Sequence, residues 1–108
     1  MNLSKKIKEI SINNQNYVLC FDMKSILTYK ELSNKTFTSG IDGLFSGDDE
    51  EAMYFIASAL RKKEAPGIPL GTEALNGNVI EYIVNFKSMV QEVIIDSLPQ
   101  EETGSKKK

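Results

Sequence analysis

The stretch IKEISINNQNYVLCFD, residues 7–22, decides the class of fold. In Ile7-Lys-Glu-Ile-Ser-Ile12, Ile10 and Ile12 fall on one face of an extended chain. Asn13 to Asn16 follow, with side chains that tolerate left-handed backbone and favour turns. Tyr17-Val-Leu-Cys-Phe21 is then unbroken apolar sequence rich in β-formers, as expected for a covered strand. The reading is a β-hairpin over about 7–21. Asp22 ends it and stands where a helix N-cap belongs, its carboxylate ready to accept from first-turn amides.

Moving outward, Met23, Ile26, Leu27, Tyr29 and Leu32 recur at helical spacing, which predicts a first helix over about 22–34. Phe37, Ile41, Leu44 and Phe45 suit a short helical turn, against which Gly40 and Gly43 count through their backbone entropy. Ser46-Gly-Asp-Asp49 resembles a capping box with Ser46 as the cap, and Asp48 to Glu51 load negative charge onto a helix start. Ala52, Met53, Phe55, Ile56, Ala59 and Leu60 share a face, and Arg61, Lys62 and Lys63 sit where cations complement a C-terminal carbonyl pole. A second helix is therefore expected over about 48–63. The connector Ala65-Pro-Gly-Ile-Pro-Leu-Gly71 cannot continue it, and Thr72 is a candidate cap for the segment after the connector. From Asn78 to about Leu98 the helical periodicity is strong, making this the dominant helix, and Pro99 stops it. The expected architecture is α+β: an N-terminal β-hairpin, then a mainly α-helical body of three principal helices, in one globular domain over 1–98. Residues 99–108 lack apolar side chains and read as a disordered tail.

Composition removes several chemistries. The 108 residues include no His, no Trp and one Cys. No zinc site of ordinary type, no imidazole relay and no disulfide framework can be assembled within one chain. Thirteen Lys and Arg face fifteen Asp and Glu. Without Lys106, Lys107 and Lys108 the balance is ten to fifteen, so the folded part is acidic, which disfavours a nucleic-acid footprint. The early charges Lys5, Lys6, Lys8 and Glu9 interrupt any signal-peptide core, and no run is long enough to span a bilayer.

The remaining candidates are weighed against plainer roles. Asp48 to Glu51 could gather a hard cation, but consecutive helix residues point about 100° apart and the helix dipole already accounts for acids there. Cys20, between Leu19 and Phe21, reads as a small buried hydrophobe with no activating base beside it. No catalytic residue, cofactor or metal site is expected. On a helical wheel the last helix carries a broad core stripe of Val79, Tyr82, Ile83, Phe86, Met89, Val90, Val93 and Ile94. A separate set, Ile80, Val84, Ile95 and Leu98, lies to one side, and Glu81, Asn85, Ser88, Glu92 and Asp96 form a polar wedge. The second apolar set either packs beneath the hairpin and connector or is available to another chain. With Ile68 and Leu70 of the connector, whose prolines lower the entropy lost on docking, it makes up the candidate partner-binding surface.

The same order of segments resembles the small tail assembly chaperones of long-tailed phages and prophages of Gram-positive bacteria. The resemblance rests on the Asn-rich turn Asn13 to Asn16 before Tyr17-Val-Leu19, on Phe21-Asp-Met-Lys24 opening a helix that closes in Glu31-Leu-Ser-Asn-Lys35, and on Leu44-Phe-Ser-Gly-Asp-Asp49 before an Ala-rich helix ending Leu60-Arg-Lys62. It covers roughly Ile7 to Leu98. It implies a non-enzymatic protein of viral morphogenesis that coats the tape measure protein, recruits tail tube subunits in the bacterial cytoplasm and is absent from the finished virion. Self-association is left open, and neither nucleic acid nor membrane is an expected partner. Many members also exist as a longer frameshifted product, for which the lysine codons of Lys106 to Lys108 would offer slippery sequence. The rival readings are a small DNA-binding regulator, or another phage interaction module such as a scaffold or an inhibitor.

Overall fold

A computed structural model describes residues 7–12, 14–76 and 79–98. Strand β1 (Ile7–Ile12) pairs antiparallel with β2 (Gln15–Cys20), with Ile12 opposite Gln15 and Ile7 opposite Cys20. Asn14 takes φ 67°, a left-handed backbone for which Asn is well suited. Alternation along β1 turns Lys8, Ile10 and Ile12 inward and leaves Ile7, Glu9 and Ser11 exposed. β2 moves from exposed at its start to wholly buried at Val18, Leu19 and Cys20.

Helix α1 (Met23–Ser33) begins at the expected cap. Asp22 accepts from the Ser25 amide and the Ser25 side chain answers the Asp22 backbone, a reciprocal capping box. Asn34 closes the helix in left-handed conformation. The short turn expected near Phe37 is a full helix, α2 (Phe37–Ser46), capped by Thr36 and ended by Gly47 at φ 97°. Gly40 and Gly43 serve it through packing: a Cβ on Gly40 would lie 1.7 Å from Tyr29 Oη, and one on Gly43 would lie 2.7 Å from Glu51 Cγ. Their entropy cost is the condition for α2 to approach Tyr29 and Glu51.

Helix α3 (Asp49–Ala59) corrects the sequence reading at both ends. Its cap is Asp48, which accepts from the Glu50 and Glu51 amides, and not Ser46. It stops at Ala59, and Leu60–Lys62 form a third strand, β3, antiparallel to β2 in the sheet order β1-β2-β3. Arg61 and Lys62 are therefore strand residues opposite Val18 and Tyr17, not cations on a helix pole. The free edge of β2 supplies partners that outweigh another turn of helix. The connector seals the junction, with Leu70 N donating to Leu60 O and Gly71 N to Ala57 O, both at 2.9 Å. A four-residue helix, α4 (Thr72–Leu75), comes after Gly71. Thr72 is its first residue and no side chain caps it. Helix α5 (Val79–Ser97) ends where expected. The architecture is thus α+β, a hairpin extended to three strands and a helical body with five helices among the described residues. The expectations for 99–108 and the start at Asn78 lie outside those residues.

The core gathers where α1, α3 and α5 meet β2. Tyr29 stacks on Phe55 with centroids 4.1 Å apart, and Phe37 meets the same ring edge-on at 6.1 Å. Phe86, Val90, Val93 and Ile94 bring the inner stripe of α5 onto this cluster, with Tyr82 and Met89 half-buried beside it. Cys20 lies in the core with 1% exposure. No helix among the described residues is long and apolar enough to cross a membrane.

Candidate partner-binding face

The six sequence-selected residues separate into two groups. Ile80 and Val84 are each 75% exposed, Ile95 is 52% exposed and Ile68 is 65% exposed. Leu98 and Leu70 instead pack half-buried against the core cluster, because Leu98 closes the last turn of α5 and Leu70 is held to β3 by its backbone. Ile80, Val84, Gln91 and Ile95 recur on one side of α5 at helical spacing, about 100° per residue. Gln91 Nε2 donates to the Leu44 carbonyl at 3.0 Å, and Lys87 Nζ donates to the Gly47 carbonyl at 3.1 Å and meets Asp49 Oδ1 at 3.0 Å. These two residues bind the end of α2 and the start of α3 to α5. Ile80 and Val84 lie beyond that clasp, while exposed Phe45 follows the Leu44 that Gln91 holds.

A second exposed group escaped the sequence reading. Met23 is 52% and Leu27 60% exposed, one turn apart on α1. The capping box draws Ser25 inward, and Ser25 with Tyr29 sets the buried face of that helix. A phase anchored on Asp22, Ser25 and Tyr29, instead of on the apolar residues alone, would have placed Met23 and Leu27 outside. Lys24 Nζ donates to the Gly67 carbonyl at 3.2 Å and so brings the connector, with Ile68, alongside this helix.

The polar clusters are engaged internally. Arg61, without solvent exposure, forks onto Asp22, donates from Nη1 to the Pro66 carbonyl at 2.9 Å and from Nη2 to Ser25 Oγ at 2.9 Å. Glu51, also buried, accepts from Tyr29 Oη at 2.5 Å and from Lys35 Nζ. Burial first, and then this bond to Glu51, pushes the Tyr29 phenol up to about 12. The acidic run is consequently dispersed: Asp48 caps, Asp49 meets Lys87, and Glu51 turns inward. Among the described residues no three His, Cys, Asp or Glu side chains gather closely enough to hold a metal ion.

On the sheet side, Lys8 Nζ meets Glu92 Oε1 at 2.6 Å, and this bond raises the Lys8 pKa. Next to it a groove of about 340 Å³ runs between β1 and α5, lined by Ile10, Ser11, Ile12, Glu81, Asn85, Phe86 and Met89. Comparison of the chain with protein-family models, with curated proteins and with solved structures finds no match.

Proposed function

We propose that this chain is a non-enzymatic tail assembly chaperone of a long-tailed phage or prophage, acting in the bacterial cytoplasm and absent from the finished particle. On this reading it shields apolar helical segments of the tape measure protein and recruits tail tube subunits. The supporting observation is the outer row of α5, where Ile80 and Val84 are the most exposed of the large apolar side chains, at three-quarters each. Covering such a row contributes about 25 cal/mol per Å² of apolar area removed from water, before the costs of association. One contact of that kind is weak. Many copies along an extended partner bind by avidity, and each remains displaceable by a polymerising tube subunit.

The test is co-expression with a tape measure protein and a tail tube protein from the same phage or prophage. Retention of the tape measure protein on the tagged chain, in several copies and reversed when tube subunits polymerise, is the expected result. Retention of neither protein, or a salt-sensitive shift of duplex DNA at micromolar chain, overturns it.

A further inference from the structure

Two sets of backbone hydrogen bonds compete for Leu60–Lys62. Residues 48–63 carry the signals of one continuous helix, with a cap, an apolar face through Leu60 and cations at the far end. α3 keeps that form as far as the Leu60 amide, which still donates to the Ile56 carbonyl. The next helical bond would run from the Arg61 amide to the Ala57 carbonyl. That acceptor is taken by the Gly71 amide at 2.9 Å, and the Leu60 carbonyl is taken by the Leu70 amide at the same distance. The Lys63 amide donates to the Asn16 carbonyl at 3.1 Å. By alternation from that pair, Arg61 and Val18 exchange both their bonds, while the Lys62 amide points away from β2. The connector thus holds the carbonyl that a longer α3 requires. Two features weigh on this closed arrangement. Arg61 has no solvent exposure and its Nε lacks a partner, a buried unmet donor that favours any state exposing it. Gly71 sits at φ 58°, where side chains are rarely found.

We propose that residues 64–71 form a strap that switches Leu60–Lys62 between two conformations, the strand β3 when the strap is closed and a further turn of α3 when it lifts. The exchange of partners is nearly balanced. Arg61 gives up the Val18 carbonyl and gains that of Ala57, and Lys63 gives up the Asn16 carbonyl and gains that of Ala59. Lys62 and Lys63 then lie at a helix C-terminus, where cations are favoured. Asp22 keeps its bonds to the start of α1 in both states. Opposing these gains are the lost fork of Arg61 on Asp22 and the exposure of buried Leu60, which keep the closed form dominant. Lifting leaves the Val18 side of β2 a bare strand edge, so the strap controls access to that edge. The two states share α3 up to Ala59, which makes the change a local opening within an intact core. The switch does not rest on the proposed chaperone role.

Native-state amide exchange on the full chain, followed by NMR, tests the switch. The Val18, Leu70 and Gly71 amides lose their acceptors when the strap lifts, and they should exchange together, about tenfold or more faster than Phe55 and Ile56 inside α3. The Arg61 amide changes acceptor without losing one and should exchange more slowly than those three. Lys62→Pro should slow Val18, Leu70 and Gly71 about tenfold, because the strand does not use that amide whereas proline bars the helical turn. In Gly71→Ala the methyl meets nothing nearer than Thr28 Cγ2 at 3.9 Å, so only the strained φ acts. Its Arg61 and Lys62 Cα shifts should move toward helical values. Should that variant fail to fold, the parent chain and Lys62→Pro still decide. Exchange of Leu70 and Gly71 only together with Phe55 and Ile56 overturns the proposal. So does an Arg61 amide as fast as the other three, which would mean a frayed segment in place of a helix, or a Lys62→Pro variant with unchanged rates.

Discussion

Arg61 sets both terminal nitrogens on the carboxylate of Asp22, Nη2 at 2.7 Å from Oδ1 and Nη1 at 3.2 Å from Oδ2. That carboxylate also caps α1, so one fork joins β3 to the start of the first helix. Removing the guanidinium strands a partly buried carboxylate, and breaking such a pair costs about 3 kcal/mol. Arg61→Met should lower stability by that amount in urea denaturation. Arg61→Lys should recover only part of it, because a single ammonium cannot reproduce the two-point contact.

Gly40 predicts a steric effect. A methyl group there would lie 1.7 Å from Tyr29 Oη and 2.6 Å from Cζ, and the ring is held by its stack on Phe55. Gly40→Ala should destabilise by about 3 kcal/mol despite its better helix propensity. Adding Tyr29→Phe removes the nearest atom but not Cζ, so the double variant should recover only a fraction. A double-mutant cycle from thermal melts reads this coupling.

These two cases show what the linear chain discloses and what it withholds. The hairpin, the Asp22 cap and the end of α5 at Ser97–Leu98 are written in local chemistry: Asn at the turn, a carboxylate before a periodic run, proline after it. β3 is not, since Leu60-Arg-Lys62 continues the α3 pattern and becomes strand only because β2 offers it a partner. Gly40 and Gly43 argue against helix when judged by propensity, yet a close approach to Tyr29 and Glu51 requires them. On the candidate face, periodicity separated Ile80 and Val84 from the core stripe. It could not show that Leu70 and Leu98 are drawn inward by backbone bonds and helix packing, or that Ser25 rotates Met23 and Leu27 outward.

Tyr29 predicts an alkaline limb. Its folded pKa of about 12 lies above the ordinary phenol value of about 10, so the protonated form is favoured by folding. The associated stability is complete below about pH 10 and is lost as pH rises toward 12, by an amount on the order of 2 kcal/mol. Urea midpoints measured from pH 8 to 12 should fall in the upper part of that range. Tyr29→Phe should flatten the fall without eliminating it, because burial also raises Tyr82.

Asp48 predicts the cost of a lost cap. Its carboxylate accepts from Glu50 N at 2.9 Å and Glu51 N at 3.2 Å. Asp48→Ala should cost about 1 kcal/mol, and Asp48→Ser should restore most of it by keeping an acceptor in place. Guanidinium midpoints compare the two.

Ile80 and Val84 separate fold from function. Each is 75% exposed, so replacing both with Asp removes little buried apolar surface and should change stability by about 1 kcal/mol or less, through helix propensity and repulsion from Glu81. Phe86→Ala, on the inner stripe at 1% exposure, should cost about 3–5 kcal/mol instead. On the proposed chaperone role, the paired Asp variant, folded by circular dichroism, should fail to retain the tape measure protein on co-expression where the parent chain retains it, because a charged row cannot be covered by an apolar helix without desolvating two carboxylates. Undiminished retention by that folded variant would move the binding face away from the outer row of α5. Loss of the fold itself would place Ile80 and Val84 in the core, against their exposure.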